Sequence, residues 1–256
     1  MRPKKSLGQH FLTDENMIQK IADAVQAGEG DRVIEIGPGT GALTAALIDR
    51  YEEVIGIEID ERAVEVLEHK FPNLKVHQAN ILDVDWEQFT MGKQKTHVVG
   101  NLPYYITSQI LFSLLANRAL FSDALLMMQK EVAERIVADI RTKAYGILSV
   151  QTRLMATPEI LFPVSPHCFR PQPNVESAML KLNFNKGRLS CTDDQLKKVV
   201  RTAFNQRRKK LSNALKPIVS KDQQPDGFDF DKRAEAWLPS EYEKLTARLV
   251  EDGILT

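Results

Sequence analysis

Short apolar runs alternating with amphipathic stretches set the rhythm of the first 130 residues. Ile18, Ile21, Ala22 and Val25 fall at helical spacing and predict a helix over Asp14 to Ala27, capped by Thr13 or Asp14 and ended by Gly28. Val33-Ile34-Glu35-Ile36 predicts a buried strand, and a glycine-rich turn then opens a helix running through Ile48. Further strands are expected over Glu53 to Ile59, from Leu74, over His97 to Gly100 and over Ala124 to Met128, with a helix from Glu61 to Lys70. Strands alternating with helices imply right-handed crossovers and a parallel sheet, so the fold class is α/β.

After Gly146 the rhythm changes. A helix is expected from Ile147 to Met155, then strands near Ile160-Leu161-Phe162 and over Ala178 to Leu182. Pro163, Pro166, Pro171 and Pro173 make the segment between them an ordered loop. The polar stretch Asn183 to Ser190 reads as a linker, and the text beyond it is helical. Thr192 with Gln195 forms one capping box and Ser240 with Glu243 a second. The expected domains are residues 1–185, an α/β unit, and residues 186–256, a small all-α unit.

Composition narrows this picture only a little. The chain has 256 residues, 43% hydrophobic and 27% charged, enough to bury a full core. Two separated cysteines, Cys168 and Cys191, supply neither a disulfide framework nor a zinc site and fit a reducing cytoplasmic compartment. No apolar run approaches the ~18 residues that would span a membrane, so no membrane partner is expected. Gly8-Gln9-His10 interrupts any signal-peptide core. Lys+Arg 34 balances Asp+Glu 34, but the bases crowd at Lys4-Lys5, Lys197-Lys198, Arg201 and Arg207-Arg208-Lys209-Lys210. A neutral total can conceal a basic face.

Two motifs carry chemistry. Gly37-Pro38-Gly39-Thr40-Gly41 ends a strand and opens a helix, the arrangement that brings backbone close to a ligand. Glu58 follows Gly37 by 21 residues and suits a ribose diol, whether of a dinucleotide or of another nucleoside cofactor. Asn101-Leu102-Pro103-Tyr104 sits where a buried strand stops, because Pro103 cannot continue the ladder and biases Leu102 away from helix. An amide, backbone carbonyls and an aromatic ring thus emerge together at a strand's end, where open α/β sheets bind ligands. They suit a planar amine such as adenine. Nothing advertises a hydride acceptor site, so the pair of motifs points to S-adenosylmethionine as methyl donor and a nitrogen as acceptor. His69, His77, His97 and His167 show no ligand spacing, and no metal is expected.

Six segments together resemble the ribosomal RNA adenine N6,N6-dimethyltransferases, on the small-subunit side of that family. They are Lys5-Ser6-Leu7-Gly8-Gln9-His10-Phe11-Leu12, Glu35-Ile36-Gly37-Pro38-Gly39-Thr40-Gly41, Asn101-Leu102-Pro103-Tyr104, and Met128-Gln129-Lys130-Glu131-Val132-Ala133. The others are Phe169-Arg170-Pro171-x-Pro173-x-Val175-x-Ser177-Ala178 and Phe204-x-Gln206-Arg207-Arg208-Lys209-Lys210-Leu211. The resemblance implies a Rossmann-like S-adenosylmethionine-dependent methyltransferase sheet with a small C-terminal all-α domain for RNA recognition. It implies methylation of N6 on two adjacent adenosines in the 3′-terminal hairpin loop of small-subunit (16S) ribosomal RNA, within a pre-30S particle, by a cytoplasmic monomer. By the same resemblance His10, Leu12, Gly37, Gly39, Glu58, Asn80 and Asn101 border the cofactor. Asn80 stands where the family usually has Asp. Asn101, Leu102, Pro103 and Tyr104 hold the target base, and Phe169 covers its other face. Lys4, Lys5, Arg153, Arg170, Arg207, Arg208, Lys209 and Lys210 hold RNA phosphates. The rivals are a large-subunit adenine dimethyltransferase and a non-enzymatic RNA-binding assembly factor on the same scaffold.

Overall fold

A computed structural model describes residues 4, 8–92 and 95–256. By backbone contacts the chain divides into two units, residues 1–133 with 159–184, and residues 134–158 with 185–256. The expected division at 185/186 differs in keeping residues 134–158 with the α/β part.

The first unit carries a seven-stranded sheet. Its elements begin with β1 (Phe11–Leu12), α1 (Glu15–Ala24), β2 (Arg32–Ile36), α2 (Ala42–Ile48), β3 (Val54–Glu58), α3 (Glu61–Lys70) and β4 (Lys75–Gln78). They continue with α4 (Glu87–Thr90), β5 (Thr96–Asn101), α5 (Thr107–Ala116) and β6 (Asp123–Gln129), and α6 (Lys130–Val137) straddles the division at 133/134. After α7 (Ile147–Met155) come β7 (Thr157–Val164), β8 (Phe169–Arg170) and β9 (Ser177–Asn183). The strand order is β4-β3-β2-β5-β6-β9-β7. The first five strands run parallel, and β9 pairs antiparallel with β6. From β2 the chain winds outward through β3 and β4, then returns to start β5 on the other side of β2. The order therefore reverses between β2 and β5, which is where a doubly wound sheet opens a crevice.

Local sequence explains most boundaries. β2 and β3 are buried along their whole length and are mostly apolar, as strands covered on both faces are, with Arg32, Glu35 and Glu58 as the charged exceptions. Asp14 caps α1 by accepting from Met17 N at 2.8 Å. Gly100 is obligatory for the β2–β5 register, because a Cβ there would lie 2.8 Å from the Ile36 carbonyl oxygen. One layer of the core joins Leu12, Ile18, Ile21, Leu47 and Val99. The antiparallel pairing of β1 with β8, Phe11 against Arg170 and Leu12 against Phe169, is a long-range contact that no local pattern announces.

The second unit contains α7, α8 (Asp193–Asn205), α9 (Leu211–Ala214) and α10 (Pro239–Glu251), with α7, α8 and α10 packed on one another. Thr192 and Gln195 exchange side-chain-to-backbone bonds at 3.0 and 3.2 Å, forming the expected box. The second expected box is absent. Pro239, with its preset φ, starts α10, and Glu241 rather than Glu243 reaches back, accepting from Leu238 N at 2.6 Å. Glu243 instead accepts from the Ser190 backbone N–H at 2.9 Å. Tyr145, Trp237 and Tyr242 are buried at this unit's centre, the two tyrosine hydroxyls donating to the carbonyls of Trp237 and Ala234.

Candidate active site

A cavity of about 290 Å³ opens at the carboxyl ends of β2, β3 and β5, at the lower end of the range for small-molecule sites. Gly37, Gly39, Glu58, Asn80, Asn101, Leu102, Pro103 and Tyr104 all line it, and so do His10 and Leu12 from the N-terminal segment. The sheet reversal explains the convergence. Ile36 and Gly100 are register partners, so the turns that follow β2 and β5 leave the sheet side by side.

The glycine turn presses close to its surroundings. Gly39 has φ +56°, and a Cβ there would come within 3.0 Å of the Phe11 ring. Glu58 is buried and held by backbone: one carboxylate oxygen accepts only from Gly39 N, at 3.0 Å, the other from Ile59 N and Asp60 N at 2.9 Å each. These bonds fix its orientation at the cavity wall. Beneath it lies Glu35, 2% exposed, accepting from the Thr44 hydroxyl at 2.6 Å. Burial pushes the Glu35 carboxyl up to about 7, with the Glu58 charge adding to the rise and the Thr44 bond opposing it. Glu35 was legible only as part of the glycine motif; its raised pKa follows from burial.

Asn101 shows its orientation unambiguously. Its Nδ2 donates to the His10 carbonyl at 2.9 Å, and a carbonyl can only accept, so Oδ1 is turned away as an acceptor. The Leu102 N–H donates to the Met127 carbonyl at 3.0 Å, while the Leu102 carbonyl meets no donor among the described residues. The Pro103 carbonyl is taken by Ile106 N and the Thr107 hydroxyl. Tyr104 is half-buried, its hydroxyl 2.8 Å from Ser177 Oγ and its ring stacked with His10 at 5.7 Å between centroids. Burial raises the Tyr104 hydroxyl above its usual range, the Ser177 bond opposing. His10 Nδ1 donates to the Pro171 carbonyl at 2.7 Å. Asn80 accepts from Leu82 N and donates to Asp83 at 2.7 Å, so a neighbouring carboxylate lies beside the amide.

Other expected residues lie elsewhere. Phe169, expected to cover the target base, is instead fully buried, pairs through β8 with Leu12, and belongs to the core rather than the cavity wall. Among the basic residues, Lys5 lies outside the described residues. Lys4 pairs with Asp60 at 3.1 Å, Arg153 with Asp139 at 3.0 Å and Lys210 with Asp231 at 3.0 Å. Arg207 is clamped by Glu235 at 2.9 Å and by the carbonyls of Lys143 and Thr142. Arg170, Arg208 and Lys209 are exposed and make no ion pair among the described residues. No metal-ligand cluster and no helix long and apolar enough to cross a membrane occur among the described residues.

The fold and cavity fit S-adenosylmethionine. The glycine turn gives close backbone approach, Glu58 offers a fixed carboxylate, and the wall is largely apolar beside it. Together they define the class: an S-adenosylmethionine-dependent methyltransferase.

The family profile described as ribosomal RNA adenine dimethylase matches residues 1–230, and the chain belongs to that family. Ribosomal RNA small subunit methyltransferase A of Salinibacter ruber is 45% identical over 254 residues, covering 97% of this chain and 85% of that protein. The protein of the same name in Bacteroides thetaiotaomicron is 40% identical over 260 residues, covering 100% and 97%. Among solved structures, a dimethyladenosine transferase from Plasmodium falciparum superposes with a TM-score of 0.82 at 26% identity, covering 96% of this chain and 99% of that one. The 23S rRNA methyltransferase ErmE gives 0.68 at 26% identity, covering 94% and 99%.

Proposed function

We propose that this chain dimethylates N6 of two adjacent adenosines in the 3′-terminal hairpin loop of small-subunit ribosomal RNA, acting as a cytoplasmic monomer on a pre-30S particle. The observation that carries the reading is the fixed orientation of Asn101. With Nδ2 committed to His10, its Oδ1 and the unmatched Leu102 carbonyl form a pair of acceptors, the complement of an amine with two hydrogens.

The N6 lone pair of adenine is delocalised into the ring, which makes the amine a poor nucleophile. Hydrogen bonds from its two hydrogens to Asn101 and Leu102 favour a pyramidal nitrogen and fix its direction, so these residues act chiefly by orientation. Tyr104 offers a ring for stacking, worth ~1–3 kcal/mol per base. Pro103 keeps the segment out of the ladder so that its acceptors face the cavity. Glu58 would hold the ribose diol, Gly37 and Gly39 would admit the methionine end, and His10, Leu12 and Asn80 would border the rest. S-adenosylmethionine supplies an electrophilic methyl group on a sulfonium. No strong general base is needed, because the alkylated amine is itself acidic.

In this reading the first unit is catalytic and the second recognises RNA. Arg208 and Lys209, joined by Arg170, are the phosphate contacts favoured here, since Lys4, Arg153, Arg207 and Lys210 are already bound to carboxylates. The small-subunit substrate follows the naming of the relatives at 40–45% identity.

The test is direct. Labelled S-adenosylmethionine is incubated with undermethylated small subunits and, separately, with large subunits, and the RNA is digested. Dimethyladenosine is expected only in the small-subunit arm. Asn101→Ala should lower the rate at least about a hundredfold, the scale on which lost alignment acts. Full activity in that variant, or label only in the large subunit, sinks the reading.

A further inference from the structure

Residues 8–12 form part of the cavity's lining, and the same segment is fastened at two places. One fastening is at the target side: Asn101 donates to the His10 carbonyl, and β1 pairs with β8. The other is Asp60. This residue lies two positions beyond Glu58, and its side chain has no exposed surface. It accepts from Lys4 Nζ at 3.1 Å and from Gln9 Nε2 at 3.1 Å. It also accepts from Arg62 Nε at 3.0 Å and Nη2 at 2.6 Å.

An aspartate just before a helix ordinarily caps it. Asp60 occupies the N-cap position of α3 but makes no side-chain cap bond. Its oxygens face the N-terminal segment instead. Lys4 and Gln9 come from more than fifty residues away in sequence, so their bonds are tertiary fastenings rather than local turn geometry. Between the two fastenings Phe11 lies against Gly39 of the cofactor turn. The Arg62 guanidinium, ahead of Lys4 and Gln9 and against the opposing effect of burial, holds the Asp60 carboxyl well below the usual carboxylate range. It therefore remains an anion throughout the neutral range.

We infer that Asp60 is a positioning residue for the cofactor: by anchoring Gln9, and Lys4 bonded to it, Asp60 holds residues 8–12 against the cofactor cavity, and cofactor retention depends on it without contact. The inference rests on the cavity being the S-adenosylmethionine site. The β3 terminus then does two jobs, with Glu58 facing the cavity and Asp60 fastening its cover. Losing one of two fastenings speeds opening of a cover, and opening governs release.

Two variants separate this from a merely structural role. Asp60→Asn keeps the shape and removes the charge; Lys4→Met removes one donor from the segment and leaves α3 untouched. Binding and dissociation of S-adenosylmethionine are measured alongside kcat and KM on undermethylated small subunits. Asp60→Asn should raise the cofactor Kd and KM on the order of tenfold through faster dissociation, with kcat at saturating cofactor changed less than about twofold. Lys4→Met should give a smaller rise of the same kind, and Lys4→Arg should restore the wild-type value. Amide exchange of Gly8–Leu12 should quicken in both weakened variants. Unchanged Kd in Lys4→Met and Asp60→Asn, or a fall in kcat with KM unmoved, overturns the role of Asp60. If Asp60→Asn does not fold, the Lys4→Met and Lys4→Arg pair decides. Failure of the wild-type protein to bind S-adenosylmethionine sinks the cofactor reading itself, a result distinct from wild-type binding with indifferent variants.

Discussion

The two ends of the parallel sheet treat charge in opposite ways. At the amino ends of β2, β5 and β6 the ionisable groups consume one another. His97 lies between Asp123, 3.0 Å from Nδ1, and Asp31, 3.3 Å from Nε2. Arg32 pairs with Glu53 at 2.7 Å and donates to the Phe89 carbonyl. At the carboxyl ends of β2 and β5, acceptors outnumber the donors offered to them. Among the described residues Glu35 has one hydroxyl, Asn101 keeps a free oxygen, and the Leu102 carbonyl meets no donor. Buried charge that is already matched stiffens a fold, whereas a surplus of acceptors around a cavity is a specification for a cationic, donor-rich ligand.

The largest expected effect tests the matched end. His97→Ala leaves two buried carboxylates facing each other and should cost about 3–5 kcal/mol in urea unfolding, with methyl transfer per folded molecule unchanged. A native melting curve for that variant would break the contrast. Next comes Glu35, whose carboxyl sits near 7 in the fold against 4.5 when free. The folded state then binds more protons than the unfolded one between those values, so stability falls as pH rises from 4.5 to 7. The loss is about 3 kcal/mol at 1.36 kcal/mol per unit. Glu35→Gln should flatten that slope between pH 5 and pH 8. His97 adds a slope of the same sign: burial alone would lower its pKa, but Asp123 and then Asp31 raise it. Its contribution is complete below its unfolded pKa and is lost as pH rises through the higher folded one. The smallest effect sharpens the contrast on the second unit. Arg208→Ala with Lys209→Ala should weaken RNA binding and lower the salt slope by roughly two. Arg207→Ala should leave that slope alone and lower the melting temperature instead, because its bonds are to Glu235 and two carbonyls.

Local pattern was enough for α3 over Glu61–Lys70, α7 over Ile147–Met155 and the Thr192 box, since each depends on residues within one turn. The cofactor turn and the strand-end tetrapeptide were legible for the same reason: glycine and proline impose their geometry wherever they stand. Burial and long-range pairing were not. Phe169 in a proline-rich loop reads alike whether it faces a ligand or the core, and only its β8 pairing with Leu12 decides. Arg207 and Arg208 are neighbours in one basic run, yet carbonyls more than sixty residues away claim the first and leave the second exposed. In the sequence, Asp60 is one acid of the stretch Glu58-Ile59-Asp60-Glu61, with nothing local to set it apart. Its partners, Lys4 and Gln9, are legible only in three dimensions.

The division of the chain has a consequence for exchange between relatives. Residues 134–158 leave the first unit, supply α7 to the second, and return before β9 is laid down. No single cut separates the two units, and a fragment ending at residue 185 would keep α7 while losing α8 and α10, which cover it. An exchange of the second unit between two members of the family therefore cannot travel as one contiguous cassette. It has to move as two pieces of gene at once, and a recombination at the apparent linker alone would deliver a helix without its partners.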